Sequence, residues 1–450
     1  MSASVRSLPA PALACDARSL FRVGVLYLFA LAHMQDVEPI LCPAALFLVI
    51  LAFLPDIRLY RHQPSAFLPM LGLVIYLPAL LWIHNNIADG TAFTLLLKSA
   101  GRVVYVMSVC VVFAHIRPTV NLAPLVSLAA ILAAATNSVP CLYSYFISSV
   151  SVWDRKLSGA VITGLLETKG AQADMLGTYL VIAATDLLHY FEFRNDRRWP
   201  RLLMLLAFPV LLAFVFCKCR TWVLALGAVF VVVAIRIVQL DRRTLGAIGL
   251  ALAGLIVAAG ISHLDREKQP QGSESIEFRL TMWDRAIRRI VQSPLIGTGI
   301  GTFEQKHVQL HTVVPNLIAL RMEGELQAPS ETHDDPNGGM NTHNSYLMVW
   351  TDFGLIGMLF YLWLLRELVV RSRFVLGFDW QSLPDGPTLQ RGTAWFVAVA
   401  GLTLLYMLVG GMAEGYVFYG PNAPLYLMIA FGRLIATSEW LRSLTPSPSP

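Results

Sequence analysis

Half of the histidines of this sequence, together with several arginines, lie in one segment. Residues 263–343 contain five of the ten histidines, with charges of both signs, whereas most of the remaining chain is apolar. Histidine titrates near neutral pH and can take a proton from a reacting hydroxyl. Arginine stays charged and binds phosphate through a fork of donors. We therefore expect any chemistry in this segment.

Metal binding is one interpretation of these side chains. His333-Asp334-Asp335 and the pair His307 and His311 are of metal-ligand type. However, they lie in or near a stretch rich in turn formers, around 329–337, where a solvated surface is the simpler interpretation. We predict no metal site.

An ordered series of residues runs through this segment and into the apolar region after it. An arginine and a tryptophan four residues apart precede a proline-glycine run and a phenylalanine, and a His-Asn pair then opens a helix with two further glycines. The members are Arg279, Trp283, Pro294, Gly297, Gly299, Phe303, His343, Asn344, Gly354 and Gly357.

Taken together, the series resembles the O-antigen ligase and O-antigen polymerase family, over roughly residues 276–365. A second family element is an arginine that opens a transmembrane helix, matched by Arg220, although the usual serine before it is Cys219 here. The resemblance implies an all-α integral membrane protein, similar to GT-C glycosyltransferases. It also implies transfer of a glycan from undecaprenyl diphosphate to lipid A core or to another polysaccharide chain, with no cofactor.

The resemblance assigns functional roles to His343, Arg279 and Arg220, and the residue types fit. A leaving diphosphate gains negative charge that guanidinium groups can stabilise, and histidine can act as the general base for the acceptor hydroxyl. His343 could instead bind the diphosphate or only cap a helix. Arg279 could be a solvated residue of an amphipathic helix, and Arg220 an anchor at a helix end.

Weaker candidates for substrate binding have structural alternatives as well. Gly299 and Gly301 could contact the diphosphate, or they could form a tight turn that returns the segment to the membrane. Lys98 and Arg102 lie one turn apart in an apolar helix and could line a groove, or their side chains could snorkel to the membrane surface, or the helix could start later. Arg155 opens an Arg-x-x-Gly-like element that resembles one in the family.

The composition sets the class of protein that must position these residues. Hydrophobic residues make up 56% of the chain and charged residues 14%, and the mean hydropathy is +0.60. These values indicate a membrane protein. The net charge of +5 is scattered in short clusters, so we predict no nucleic-acid partner.

Twelve stretches have the length and apolarity of transmembrane helices. We predict spans at 20–34, 38–55, 66–83, 94–113, 119–136, 173–190, 202–216, 221–238, 244–262, 344–364, 394–413 and 423–438. A further amphipathic helix is predicted from Ile276 to Val291, in the long loop between the ninth and tenth spans.

Arginine clusters on alternate connections set the orientation by the positive-inside rule. The connections 35–37, 84–93 and 414–422 contain no Lys or Arg and face outward, while the Arg-rich connections and both termini are cytoplasmic. The expected organisation is nine spans in 1–262, a periplasmic loop at 263–343, and three spans with a cytoplasmic tail in 344–450. The active site is expected on the periplasmic face of a bacterial inner membrane, among membrane lipids.

Two classes of function compete. The first is a glycan transferase, which could be a ligase or a polymerase. These two differ in the acceptor that receives the glycan. The second is a transporter of lipid-linked oligosaccharides, which twelve spans also fit. A transporter is expected to place its polar residues in broken helices near the membrane midplane, whereas here they concentrate in the outward loop. The sequence therefore favours the transferase.

Overall fold

The computed structural model describes ten stretches of the chain, and the following account is restricted to them. They are residues 16–34, 41–58, 67–84, 90–146, 169–193, 198–217, 219–240, 274–299, 344–412 and 423–444.

Within these stretches the secondary structure is helical, with one isolated antiparallel bridge between Ile57 and Ile116. Two short 3-10 helices, Leu54–Asp56 and Trp380–Ser382, accompany twelve α-helices. The α-helices are α1 (Ala17–Met34), α2 (Leu41–Phe53), α3 (Leu68–His84), α4 (Gly90–His115), α5 (Ala123–Phe146), α6 (Lys169–Phe193), α7 (Arg198–Phe216), α8 (Arg220–Leu240), α9 (Glu274–Gln292), α10 (Ser345–Leu376), α11 (Gly386–Gly410) and α12 (Ala423–Leu444).

The predicted spans correspond closely to these helices. Every predicted span except 244–262 overlaps one of them, and that span lies outside the described residues. The loop helix predicted from Ile276 to Val291 is confirmed as α9. The all-α class is thus confirmed for the described part of the chain.

Three helices are long and apolar enough to cross a membrane by themselves: Ala123–Tyr143, Ser345–Leu376 and Gly386–Gly410. Shorter apolar helices accompany them at Leu41–Asp56, Gly101–His115, Leu205–Phe216 and Thr221–Ile237. Large apolar side chains project from several helices, with Phe47 59%, Leu205 71% and Leu224 69% exposed. Such a surface is rare on a water-soluble monomer and is suited to lipid. The chain is therefore a membrane protein, while the number of spans stays a prediction.

The C-terminal half of α10 differs from the expected boundary. The helix continues to Leu376, whereas the prediction ended at residue 364 before a run of charges. The charged residues extend the helix because they are paired: Arg371 is buried and bonds Glu439 Oε1 at 2.8 Å and Ser438 Oγ at 2.7 Å. A buried charge with such partners does not require a helix to end.

The described chain divides into two compact units, each assembled from separate segments. Unit 1 comprises residues 1–59, 112–262 and 376–406. Its centre is α6, whose residues from Gln172 to Ile182 are all buried. Asp186 of this helix accepts hydrogen bonds from Ser127 Oγ and, at 2.7 Å, from Trp395 Nε1, which ties α5, α6 and α11 together.

Unit 2 comprises residues 60–111, 263–375 and 407–450. It contains α3, α9, α12 and most of α10. Helices α3 and α10 approach closely at Gly72, where an added Cβ would lie 2.2 Å from Cε1 of Phe360. Only glycine fits there without displacing the phenylalanine ring, so the sequence brings α3 directly against α10.

Candidate functional site

Helix α10 is broken near its N-terminal end, at Gly354 (φ 64°, ψ −167°). In a continuous helix the N–H groups of Leu355 and Ile356 would bond the carbonyls of Thr351 and Asp352. Instead they donate to Pro294 O at 2.9 Å and Leu295 O at 3.1 Å. The break therefore transfers two helical hydrogen bonds to the turn that follows α9.

The same turn satisfies the carbonyls that the break leaves free. Thr298 N–H donates to Thr351 O at 2.7 Å, and Gly299 N–H donates to Asp352 O at 3.0 Å. Residues 293–299 and 351–356 thus exchange four backbone hydrogen bonds, and we call this pair of segments the junction. In a lipid environment such an exchange is required, because unpaired peptide groups cost several kcal/mol each.

Two glycines make the junction possible. Gly297 has φ 71°, and a Cβ there would lie 2.6 Å from both Asp352 O and Gly354 N. Gly354 has φ 64°, and its added Cβ would lie 2.4 Å from Gly297 N. Both positions combine the left-handed region with direct backbone contact, so a side chain is excluded at either one.

Side chains lock the turn in place. Ser293 Oγ donates to Gly297 O at 2.7 Å, and Trp350 Nε1 donates to Pro294 O at 3.3 Å. The Tyr76 hydroxyl of α3 lies 2.9 Å from Ile296 O and 2.8 Å from Phe353 O. Tyr76 is thus in contact with both halves of the junction at once.

For Gly299, the junction favours the tight-turn interpretation of the glycine run. Its N–H already donates to Asp352 O, as a turn requires. Its role in substrate binding stays a prediction, and Gly301 lies outside the described residues.

The start of α10 is fixed by its neighbours. Asn344 Oδ1 accepts the N–H groups of Tyr346 at 3.0 Å and Leu347 at 3.1 Å, the pattern of an N-cap. Ser345 N–H donates to Gly411 O at 2.8 Å. The cap therefore belongs to Asn344, which removes the alternative that His343 caps the helix. His343 itself lies just outside the described residues.

Helix α9 has one buried face and one exposed face. Met282, Ala286 and Ile290 are buried, at four-residue steps along one stripe. The backbone position of Arg279 falls on this stripe, seven residues before Ala286. Arg288 falls on the opposite face, where its Nε bonds Asp284 Oδ2 at 2.8 Å. The side chain of Arg279 is not described.

Arg289 and Asp352 form a charged region that the sequence interpretation did not identify. Arg289, in the last turn of α9, is half-buried. Burial, with nearby Arg285, lowers the pKa of Arg289 to about 10, while the negative charge of Asp352 opposes the shift. Arg289 therefore stays charged at neutral pH. Asp352 is fully buried, and a carboxyl group inside a predicted span was the signal that could have identified it.

Arg220 is the first residue of α8 and belongs to unit 1. Its side chain is not described, but the first turn of the helix is firmly held. Trp222 is buried and stacks on Tyr406, with ring centroids 5.0 Å apart. The Tyr406 hydroxyl donates toward Asp174 O at 3.2 Å. Both interpretations of Arg220, diphosphate ligand and helix-end anchor, stay open.

The remaining candidates receive less support from the structure. Helix α4 begins at Gly90, so the alternative that it starts after Lys98 and Arg102 is wrong. The side chain of Arg102 is exposed, and that of Lys98 is not described. Arg155 lies outside the described residues.

The described stretches also contain His, Cys, Asp and Glu, the side chains that bind metal ions. No group of three or more His, Cys, Asp or Glu in the described stretches is placed to hold a metal ion. His307, His311 and His333-Asp334-Asp335 lie outside those stretches.

Comparison with known proteins gives a match over part of the chain. No curated protein matches the chain. Residues 201–362, however, match the family model described as O-antigen ligase. The matched segment includes Arg220, α9 and the entire junction. This match over residues 201–362 confirms the resemblance to the O-antigen ligase and polymerase family that the motif series indicated.

Proposed function

We propose that this protein transfers a glycan from undecaprenyl diphosphate to an acceptor, lipid A core or a growing polysaccharide, on the periplasmic face of a bacterial inner membrane. The observation that carries the proposal is the junction. It joins α9, which carries Arg279, to the part of α10 that begins beside His343. This contact joins the helix that carries Arg279 to the helix that begins two residues after His343, the two residues with the required chemistry.

The reaction needs a base and a group that stabilises the leaving diphosphate. The oxygen of an acceptor hydroxyl attacks the anomeric carbon of the donor, and its proton passes to His343. The bond between that carbon and the diphosphate oxygen breaks, and undecaprenyl diphosphate leaves with both electrons. The negative charge that develops is stabilised by the guanidinium groups of Arg279 and Arg220, without a metal.

The position of Arg279 on α9 supports its role over that of Arg288. It falls on the stripe of α9 that packs into unit 2, whereas Arg288 is on the opposite face and already paired with Asp284. Gly299, Gly301, Arg155, Lys98 and Arg102 are secondary candidates for contacts with the donor or the acceptor.

The break in α10 is a structural observation that favours a transporter, because transporters bind substrates at broken helices. At Gly354, however, the peptide groups of Leu355, Ile356, Thr351 and Asp352 are bonded to the turn after α9. A break whose groups are occupied in this way serves to hold a loop. The transferase is the better interpretation.

The test is glycan transfer in liposomes from a defined undecaprenyl diphosphate donor to a defined acceptor, with a metal chelator and no other protein. We expect transfer by the native chain. Movement of the donor between leaflets without transfer, for several donor and acceptor pairs, would instead establish the transporter.

Deletion of the gene separates a ligase from a polymerase. Full-length glycan accumulates on undecaprenyl diphosphate when a ligase is lost, and single repeat units accumulate when a polymerase is lost. We expect the first result. Orientation is tested with an impermeant thiol reagent on spheroplasts, which should label a cysteine at position 330 but not one at position 385.

A further inference from the structure

Tyr76 is placed where the two halves of the junction meet. Its hydroxyl lies 2.9 Å from Ile296 O in the turn after α9 and 2.8 Å from Phe353 O, one residue before the break in α10. A hydroxyl has a single hydrogen, which these two carbonyls share as a three-centre bond. One side chain of α3 is therefore bonded to both backbone segments.

Helix α3 is held firmly enough for Tyr76 to act as a fixed point. Gly72, one turn earlier on the same face, lets the helix approach the Phe360 ring. The rings of Tyr76 and Phe360 are 6.2 Å apart between centroids. The ring of Tyr76 is thus set by packing against α10, and its hydroxyl position follows from that packing.

Helix α9 and the N-terminal part of α10 both extend away from the junction. Arg279 lies fourteen residues before Ser293, a distance of roughly 21 Å along a helix, and Ser345 lies nine residues, roughly 14 Å, before Gly354. A rotation of about 5° at the junction would move the far end of α9 by about 2 Å over that length. Displacements of about 1 Å can reduce a reaction rate on the order of a hundredfold.

We propose that the Tyr76 hydroxyl is a positioning group for glycan transfer, which fixes α9 relative to α10 by bonding both sides of the junction. The inference rests on the proposed function for its effect on catalysis. The mechanical part, that Tyr76 fixes α9, is independent of the reaction. Tyr76 does not touch the reacting atoms and acts through Arg279.

The test compares Tyr76→Phe with Tyr27→Phe. The first removes the junction hydroxyl and keeps the ring against Phe360. The second removes a hydroxyl that bonds Thr136 Oγ1 at 3.0 Å in unit 1, away from the junction. Both changes remove one tyrosine hydroxyl and its hydrogen bonding to other segments, and both keep the ring, so a general effect of removing a hydroxyl appears in both variants.

The first measurement is the distance between nitroxide labels on cysteines introduced by Leu280→Cys and Arg366→Cys, with the native cysteines replaced. Both positions are on exposed side chains of unit 2, one near the far end of α9 and one on α10. Pulsed electron paramagnetic resonance measures the distribution of distances between the labels. This distribution should be at least twofold broader, or displaced, in Tyr76→Phe and unchanged in Tyr27→Phe. An unchanged distribution in Tyr76→Phe overturns the proposal.

The second measurement is transfer kinetics for folded protein. We expect kcat to fall roughly tenfold in Tyr76→Phe, with the donor KM within about twofold. Combined with Arg279→Lys, the loss should be smaller than the product of the two single losses, because both act on the same contact. If Tyr76 has a merely structural role, the losses of transfer rate in the two single variants should multiply in the double variant. That result would overturn the proposal.

The two parts fail in distinguishable ways. If the distance distribution of Tyr76→Phe is broader but its kcat is native, only the effect of Tyr76 on catalysis is overturned. If the native protein transfers no glycan, the proposed function fails, and the label distances by themselves decide whether Tyr76 fixes α9.

Discussion

Helix α10 is fixed at its two ends by different kinds of contact. Near the N-terminal end, the break at Gly354 exchanges four backbone hydrogen bonds with the turn after α9. Near the C-terminal end, Arg371 is buried among side chains: it bonds Glu439 Oε1 and Ser438 Oγ and lies 3.6 Å from Glu367 Oε2.

The difference matters because backbone contacts and side-chain contacts hold position to different degrees. Two peptide segments bonded directly to each other have no flexible atoms between them. Long charged side chains can adjust their rotamers and still remain paired. We therefore expect the N-terminal end of α10 to determine the rate of transfer, and the C-terminal end to determine stability.

The largest effect is expected for His343→Ala, at the N-terminal end. If His343 takes the acceptor proton, the transfer rate should fall roughly 10²- to 10⁴-fold, with a much smaller loss of donor binding. The rate of the native protein should also decrease at low pH, since a protonated imidazole cannot accept a proton. Folding should survive because Asn344 supplies the cap.

The assay for His343 is liposome transfer over a pH series, with His333→Ala as control. A native rate that rises at low pH would mean that a charged His343 binds the diphosphate. Full activity of the His343→Ala variant would remove this residue from the reaction.

The next largest effect is expected for a change at the C-terminal end of α10. Arg371→Met leaves Glu367 without its buried partner and Glu439 with Arg442 alone, and should cost roughly 3 kcal/mol of unfolding free energy. Arg373→Met, at an exposed position of the same helix, should cost little. Thermal unfolding in detergent measures both. A slower transfer per folded molecule in Arg371→Met would contradict the assignment of this end to stability.

Arg279→Lys tests whether α9 presents a diphosphate ligand. Lysine keeps the charge but loses the fork of donors, so transfer should fall on the order of a hundredfold, roughly 3 kcal/mol. Arg288→Lys, on the opposite face of α9, should retain nearly native transfer. Steady-state kinetics of the purified variants decide the matter, and equal rates would exclude Arg279 as a diphosphate ligand.

Gly297→Ala is expected to have the smallest of these effects. It places a Cβ at φ 71° against Asp352 O, at a cost of about 2 kcal/mol. Gly24→Ala, with open space around its Cβ, should be tolerated. Both unfolding and transfer should be measured, since loss of stability without loss of rate would mean that the junction does not position α9.

The elements of this fold were predictable because each carries its own periodic signal. Stretches of apolar residues indicated the spans, and Leu280, Trp283, Ile287 and Ile290 indicated α9. The face that this pattern predicts to be buried is wrong, since Leu280 and Ile287 are exposed while Met282 and Ala286 are buried. The ends of α10 and α11 were not predictable, since a charge such as Arg371 suggests a loop until its partners on α12 are known. Pairing of that kind is a property of the tertiary structure.

The candidate site was predictable in its residue types and not in its contacts. The order Pro294, Gly297, Gly299 and Gly354 is visible in the sequence, but which backbone atoms these glycines bring together is not. Tyr76 gave no signal, because a tyrosine in an apolar span is ordinary. Its importance comes from two carbonyls that lie 220 and 277 residues away along the chain.

The exchange at Gly354 has a consequence for biogenesis. A newly inserted α10 can satisfy Leu355 and Ile356 within its own helix, and the turn after α9 can replace those bonds one pair at a time. Every peptide group then has a partner before and after the exchange, as lipid requires. Insertion of α10 and docking of its loop are therefore separable events, and a nascent chain stalled between them would be fully integrated in the membrane but inactive.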